Sequence, residues 1–188
     1  TKHMVKQKVA LCFFGVIPRS IRYTYTSIKA MILDELKSDF DIDIIVFNLN
    51  IKDSLIDNQK INENDVNIIE DIKYYEEELQ ENADIEIRNC YGEINGPVLR
   101  MRTDYSPLLI KNACRQMYSE YRLGLMLDKV KEQYDVSIVC GPDYYLLTKI
   151  NVEDIKNAIV DKNLIYTTPG NPANGRTNGF YIGNPEVM

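Results

Sequence analysis

Residues 8–14 (Lys-Val-Ala-Leu-Cys-Phe-Phe) form a short, continuous apolar run that ends at Gly15. A strand with apolar side chains on both faces must be covered on both faces. That is the position of a central strand in a largely parallel sheet. The next residues fit it. Val-Ile-Pro-Arg-Ser closes the run, Ser20 suits a helix N-cap, and Ile21, Tyr25, Ile28, Ile32 and Leu36 recur at helical spacing. Residues 41–49 (Asp-Ile-Asp-Ile-Ile-Val-Phe-Asn-Leu) then read as a second strand. A β-α-β opening favours a right-handed crossover and a parallel sheet, so the chain reads as α/β.

Further elements follow at intervals. Ser106 and Pro107 make a good helix start, and Leu109, Ala113, Met117 and Tyr121 mark a stripe that Leu123, Leu127, Val130 and Tyr134 continue. The spacing predicts a long helix to about residue 133, interrupted near Gly124. Residues 135–140 read as a third strong strand, 152–160 as a short helix, and 164–168 and 179–182 as strands. The stretch 52–100 differs in character. Its first part is rich in Asn, Asp, Glu and Lys and lacks Gly and Pro through residue 86. It reads as a peripheral insertion, with a short acidic helix at 74–80 and a minor strand at 85–88.

The chain has 188 residues and a net charge of −6, long enough for one ordinary domain. With 45% hydrophobic and 27% charged residues it is globular in character. No apolar run approaches the roughly 20 residues of a membrane span. The negative balance argues against non-specific nucleic-acid binding, which needs basic surface. The four cysteines, Cys12, Cys90, Cys114 and Cys140, show no metal-site spacing and read as buried free thiols in a reducing compartment. The one histidine, His3, lies in Thr-Lys-His-Met, which reads as a vector scar (residues 1–3) before a native start at Met4. Chemistry resting on imidazole is then excluded, which leaves carboxylates, arginines, hydroxyls and backbone dipoles.

In open α/β sheets, ligands bind beyond the carboxyl ends of the strands. The first strand delivers Gly15, Pro18, Arg19 and Arg22 there, and the following helix N-terminus with two arginines favours a diphosphate. A surface loop with solvated arginines is the plainer alternative. The third strand delivers Asp143, either a ligand for a hard cation on phosphate oxygens or the end of a Gly-Pro-Asp turn. Arg122 and Gly124 stand on the preceding helix. A helical glycine costs about 1 kcal/mol against alanine, which either a kink or a close backbone approach to a ligand explains.

Residues 14–19 (Phe-Gly-Val-Ile-Pro-Arg), 116–119 (Gln-Met-Tyr-Ser), 134–145 and 178–183 together resemble the nucleotide-sugar glycosyltransferases of the GT-A type. More narrowly, they are similar to a group found in large DNA viruses, phages and bacterial glycan clusters. The likeness covers residues 8–188 except 52–100. It implies a GT-A-like, Rossmann-like, mostly parallel sheet flanked by helices in a single domain over 4–188. It also implies transfer of a sugar from a UDP- or GDP-sugar to a hydroxyl of a glycan or glycoprotein, in the cytoplasm (the host's, if viral). The resemblance lays Phe14, Gly15, Val16, Arg19 and Arg22 along the donor, with Arg122, Gly124, Tyr144 and Asn178 beside it. It makes Asp143 the ligand of Mn²⁺ or Mg²⁺ on the diphosphate. The acidic motif of such enzymes usually reads Asp-x-Asp; here Gly141-Pro142-Asp143 keeps only the second acid. Asn178 stands where the narrower group often has Asp, and an amide cannot serve as a base.

An inverting transferase needs a carboxylate to deprotonate its acceptor, and Asp104 is the candidate. The incomplete acidic motif equally suits a catalytically impaired sugar-nucleotide or glycan-binding module. A nucleotidyltransferase would want further acids near Asp143, and Tyr144-Tyr145-Leu146 offers none. The ending at 184–188, with Pro185 suited to open another helix, reads as a domain cut from a longer protein.

Overall fold

The computed structural model describes residues 6–52, 55–56, 59–92, 107–168 and 179–186. Strand β1 (Gln7–Gly15) is buried along its middle. Val9, Leu11 and Phe13 enter the core on one face of the sheet, and Ala10, Cys12 and Phe14 enter it on the other. Both edges are paired in parallel, with β2 (Phe40–Asn50) and with β6 (Val136–Cys140). The sequence pattern therefore has the physical cause assigned to it: a strand inside a sheet covered on both sides.

A 3₁₀ turn (Ile17–Arg19) leads from β1 into α1 (Ile21–Ile28), a π-helical stretch (Lys29–Leu33) and α2 (Asp34–Leu36). Ile21, Tyr25, Ile28, Ile32 and Leu36 are all buried against the first face. Eight residues from Ile28 to Leu36 would drift about 80° round a regular α-helix. The wider π turn takes up residues without that drift and keeps the stripe on the sheet.

A small antiparallel hairpin, β3 (Leu55–Ile56) and β4 (Gln59–Lys60), precedes a 3₁₀ segment (Glu63–Ile68) and β5 (Ile72–Leu79). Next come α3 (Gln80–Tyr91) and α4 (Pro107–Asp128), which cover the second face. After β6, α5 (Val152–Val160) packs on the first face. The last strands are β7 (Tyr166–Thr167) and β8 (Phe180–Gly183). The order across the sheet is β5-β2-β1-β6-β8-β7. β5, β2, β1 and β6 run parallel, whereas β8 is antiparallel to both β6 and β7. The architecture is α/β with a mixed six-stranded sheet flanked by helices, less parallel than expected.

Several expectations change. Residues 74–79 are not an acidic helix but most of strand β5, Gln80 opens helix α3, and 85–88 lie within that helix. The stretch 52–100 thus supplies an edge strand of the main sheet. The acids of β5 are tolerable there because an edge is solvated, and charge also deters pairing with another chain. Helix α4 runs through Gly124 without interruption. Its buried face carries Cys114, Ser119, Leu123, Met126 and Leu127, leaving Met117 and Tyr121 exposed. Cys12, Cys114 and Cys140 are buried free thiols, but Cys90 is exposed.

Phe13 is fully buried in the central strand. Phe13→Ala should cost about 3–5 kcal/mol, the usual range for truncating a buried aromatic. Urea denaturation measures it, and a loss below about 1 kcal/mol would contradict this core.

Candidate functional site at the strand tips

The chain leaves β1 toward β2 and β5 on one side, then returns to β6 on the other. The crevice between neighbouring strands at such a switch point is where ligands bind in open α/β sheets. Gly15 ends β1 with φ +107, a left-handed value that side chains resist, so glycine is required for the turn. β6 ends at Gly141-Pro142-Asp143, where the Tyr144 N–H donates to the Gly141 carbonyl at 3.2 Å. The tips converge. Arg19 forms an ion pair with Asp143 through Nη2 and Oδ2, and Ser20 Oγ donates to Asp143 Oδ1. Asp143 is a turn residue and a charge partner together.

Helix α1 is laced to the β6 tip along one side. Thr24 Oγ1 donates to the Pro142 carbonyl at 2.6 Å, and Ser27 Oγ accepts from the Leu146 N–H at 3.0 Å. Ser20 occupies the N-cap position, but its hydroxyl makes no cap hydrogen bond and turns to Asp143 instead. The signal for this lacing lay in the sequence: hydroxyls at 20, 24 and 27 repeat at helical spacing.

At Pro18, next to Arg19 in the chain, lies a small open groove with a cavity volume of about 10 Å³, room for one water, lined by Val16, Pro18, Asn48, Leu49, Asn50, Ile51, Ile61 and Glu63. Its polar wall is a network that sequence reading missed. Asn48 Oδ1 accepts from the Ile17 N–H at 3.2 Å, and its Nδ2 donates to Glu77 at 2.9 Å. Asn50 Nδ2 donates to Glu77 at 3.1 Å, and the Tyr75 hydroxyl donates to the same carboxylate at 2.5 Å. Burial pushes the Glu77 carboxyl up, but the donated hydrogen bonds from Tyr75, Asn48 and Asn50 outweigh it and hold it low. Burial and then the Glu77 carboxylate push the Tyr75 hydroxyl up to about 12. The available signal was two asparagines, Asn48 and Asn50, closing the apolar run that Ile44, Ile45, Val46 and Phe47 begin in β2.

The remaining expected residues are distributed differently. Val16 lines the groove, whereas the Phe14 side chain is buried under α4. Tyr144 packs against Gly141 and Gly179, where an added methyl at Gly179 would overlap its ring. Arg22 is anchored to the buried carboxylate of Asp65, Nε to Oδ2 at 2.9 Å. Arg122 lies on the α4 face of the sheet, 5.2 Å above the Phe47 ring, and pairs with Glu78 and with Glu76 at 3.5 Å. No described contact joins it to Arg19 or Asp143. Gly124 is exposed with open space beside it and no close backbone approach among the described residues. Asp104 and Asn178 lie outside the described residues.

Among the described residues, no cluster of three or more acidic, thiol or imidazole side chains is placed to hold a metal ion. None of the described helices is long and apolar enough to cross a membrane. A scan of protein-family models gives no match to the chain, and a search of curated proteins gives none.

A carboxyl held low in the fold adds stability above the pH at which the unfolded group protonates, about 4.3 for glutamate. That contribution is lost as pH falls through the lowered folded value. Glu77 is exposed to solvent, so screening trims this contribution, and Glu77→Gln should lower Tm at pH 7 by about 1–2 °C, the shift that roughly half a kcal/mol gives at this chain length. The gap from wild type should close as pH falls below about 4.3. Thermal melts of both proteins from pH 7 to pH 3 measure it; a pH-independent gap would refute the network's hold on Glu77.

Proposed function

We propose that this chain is a GT-A-type glycosyltransferase domain that takes a UDP- or GDP-sugar as donor and a hydroxyl of a glycan or glycoprotein as acceptor. One observation carries the reading. A single 3₁₀ turn carries Pro18, which lines the small open groove, next to Arg19, which pairs with Asp143, and this adjacency supports a nucleoside laid over the groove with its phosphates along the guanidinium. In this reading the base and ribose lie over the groove. The diphosphate lies along Arg19 and the N-terminus of α1, where guanidinium and backbone N–H groups face the charge that develops as it leaves. The acceptor oxygen bonds to the anomeric carbon as the carbon–oxygen bond to phosphate breaks. The acceptor's proton passes to a carboxylate, the role assigned to Asp104.

The resemblance implies Mn²⁺ or Mg²⁺ on Asp143. The donor set there does not fit such an ion: one carboxylate, with one oxygen on a guanidinium and the other on a hydroxyl. The same engagement of Asp143 favours a second reading, a module that binds sugar nucleotides or glycans without turning them over.

Thermal shift against UDP, GDP, CMP and their sugars tests the assignment. A UDP or GDP ligand at a hundredfold excess over its Kd should add about 2.7 kcal/mol of stability. Failure of every nucleotide to stabilise the protein would overturn donor binding. Stabilisation without hydrolysis or transfer would establish the binding module in place of the enzyme.

A further inference from the structure

We infer that Arg19 does at this site what a divalent cation does in a metal-dependent one: it binds the donor diphosphate directly, with Asp143 as its positioning residue. This rests on the donor-binding reading above.

The argument is one of valence and charge. A guanidinium has donors on more than one edge and pairs well with phosphate through two of them. Arg19 meets Asp143 through Nη2 alone, so Nε and Nη1 have no partner among the described residues. Its side chain is 45% exposed, which leaves that edge within reach of a ligand. Asp143 is satisfied on both oxygens, by Arg19 and by Ser20. A divalent ion on Asp143 would have to displace both and would then sit against the arginine's like charge. A diphosphate has the opposite sign and the geometry for the open edge. It needs no displacement of Ser20, and the remaining pair with Asp143 fixes the guanidinium's orientation. The nearby arginine of α1 is not available for the task, since Asp65 holds Arg22. The small open groove at Pro18 marks the side of the turn on which the attached nucleoside would lie.

Titration calorimetry with UDP and GDP, in EDTA and in excess MnCl₂, tests the inference. Uridine and guanosine serve as probes without phosphate. Diphosphate affinity should agree within about twofold between the two conditions. Arg19→Ala should weaken the diphosphates at least tenfold and the nucleosides less than twofold. Arg19→Lys should recover part of the loss, because the charge remains. Asp143→Ala should weaken the diphosphates about threefold and the nucleosides less than twofold, and should add nothing to the Arg19→Ala loss, because Asp143 acts through Arg19. A metal-ligand role gives a different pattern: tightening by Mn²⁺ of tenfold or more that Asp143→Ala abolishes. That result would overturn the inference and leave the donor-binding reading intact. No binding by any nucleotide in either condition would overturn both.

Discussion

The first strand meets a severe condition: its backbone must be paired on both edges and its side chains covered on both faces. β1 meets it with β2 and β6 as parallel neighbours and with two apolar layers of its own residues. Parallel pairing has a geometric consequence. The carboxyl ends of β1, β2, β5 and β6 all arrive at one edge of the sheet, so the residues after each strand share a neighbourhood. Groups far apart in the chain, Arg19 and Asp143 or Asn48 and Glu77, meet there because of strand direction.

Polarity at that edge is organised differently from the core. Buried polar groups are costly unless paired. Among the described residues, no buried side-chain nitrogen or oxygen lacks a hydrogen-bond partner. Asn48, Asn50 and Thr24 are buried at the strand tips, and each is tied to a carboxylate, a backbone group or both. These bonds fix loops that apolar packing would leave with several arrangements. Lacing by Thr24 and Ser27 sets how α1 sits against residues 142–146, and the Asn48 bond to the Ile17 N–H sets how the chain leaves β1.

Sequence reading recovered the parts where a pattern has one physical meaning. β1, β2, β6 and α5 are such parts, because continuous apolar runs and a regular buried stripe leave few alternatives. It failed at β5, where three consecutive acids look helical by composition. There the deciding fact is an edge position with Arg122 and Lys129 facing Glu76. It chose the wrong face only in the first half of α4: Met117 and Tyr121 are apolar enough to suggest a core but are exposed, whereas Leu123 and Leu127 of the same stripe are buried. At the site, Gly15 and Asp143 were legible as strand-tip residues. Glu77 was not, because its asparagine partners sit on a different strand 27 and 29 residues away, and no local pattern encodes that pairing.

The turn Ile17–Arg19 is where the two halves of the site become one object. Its first residue is hydrogen-bonded to Asn48, and through Asn48 to Glu77. Its last residue is paired with Asp143 at the tip of β6. Between them Pro18 has its φ fixed by its ring and lines the groove. A turn this short, pinned at both ends and stiff in the middle, has little freedom to move one end without the other. Groove and guanidinium are therefore held in fixed register by three residues, and the polar network on β5 belongs to the site although it touches neither Arg19 nor Asp143.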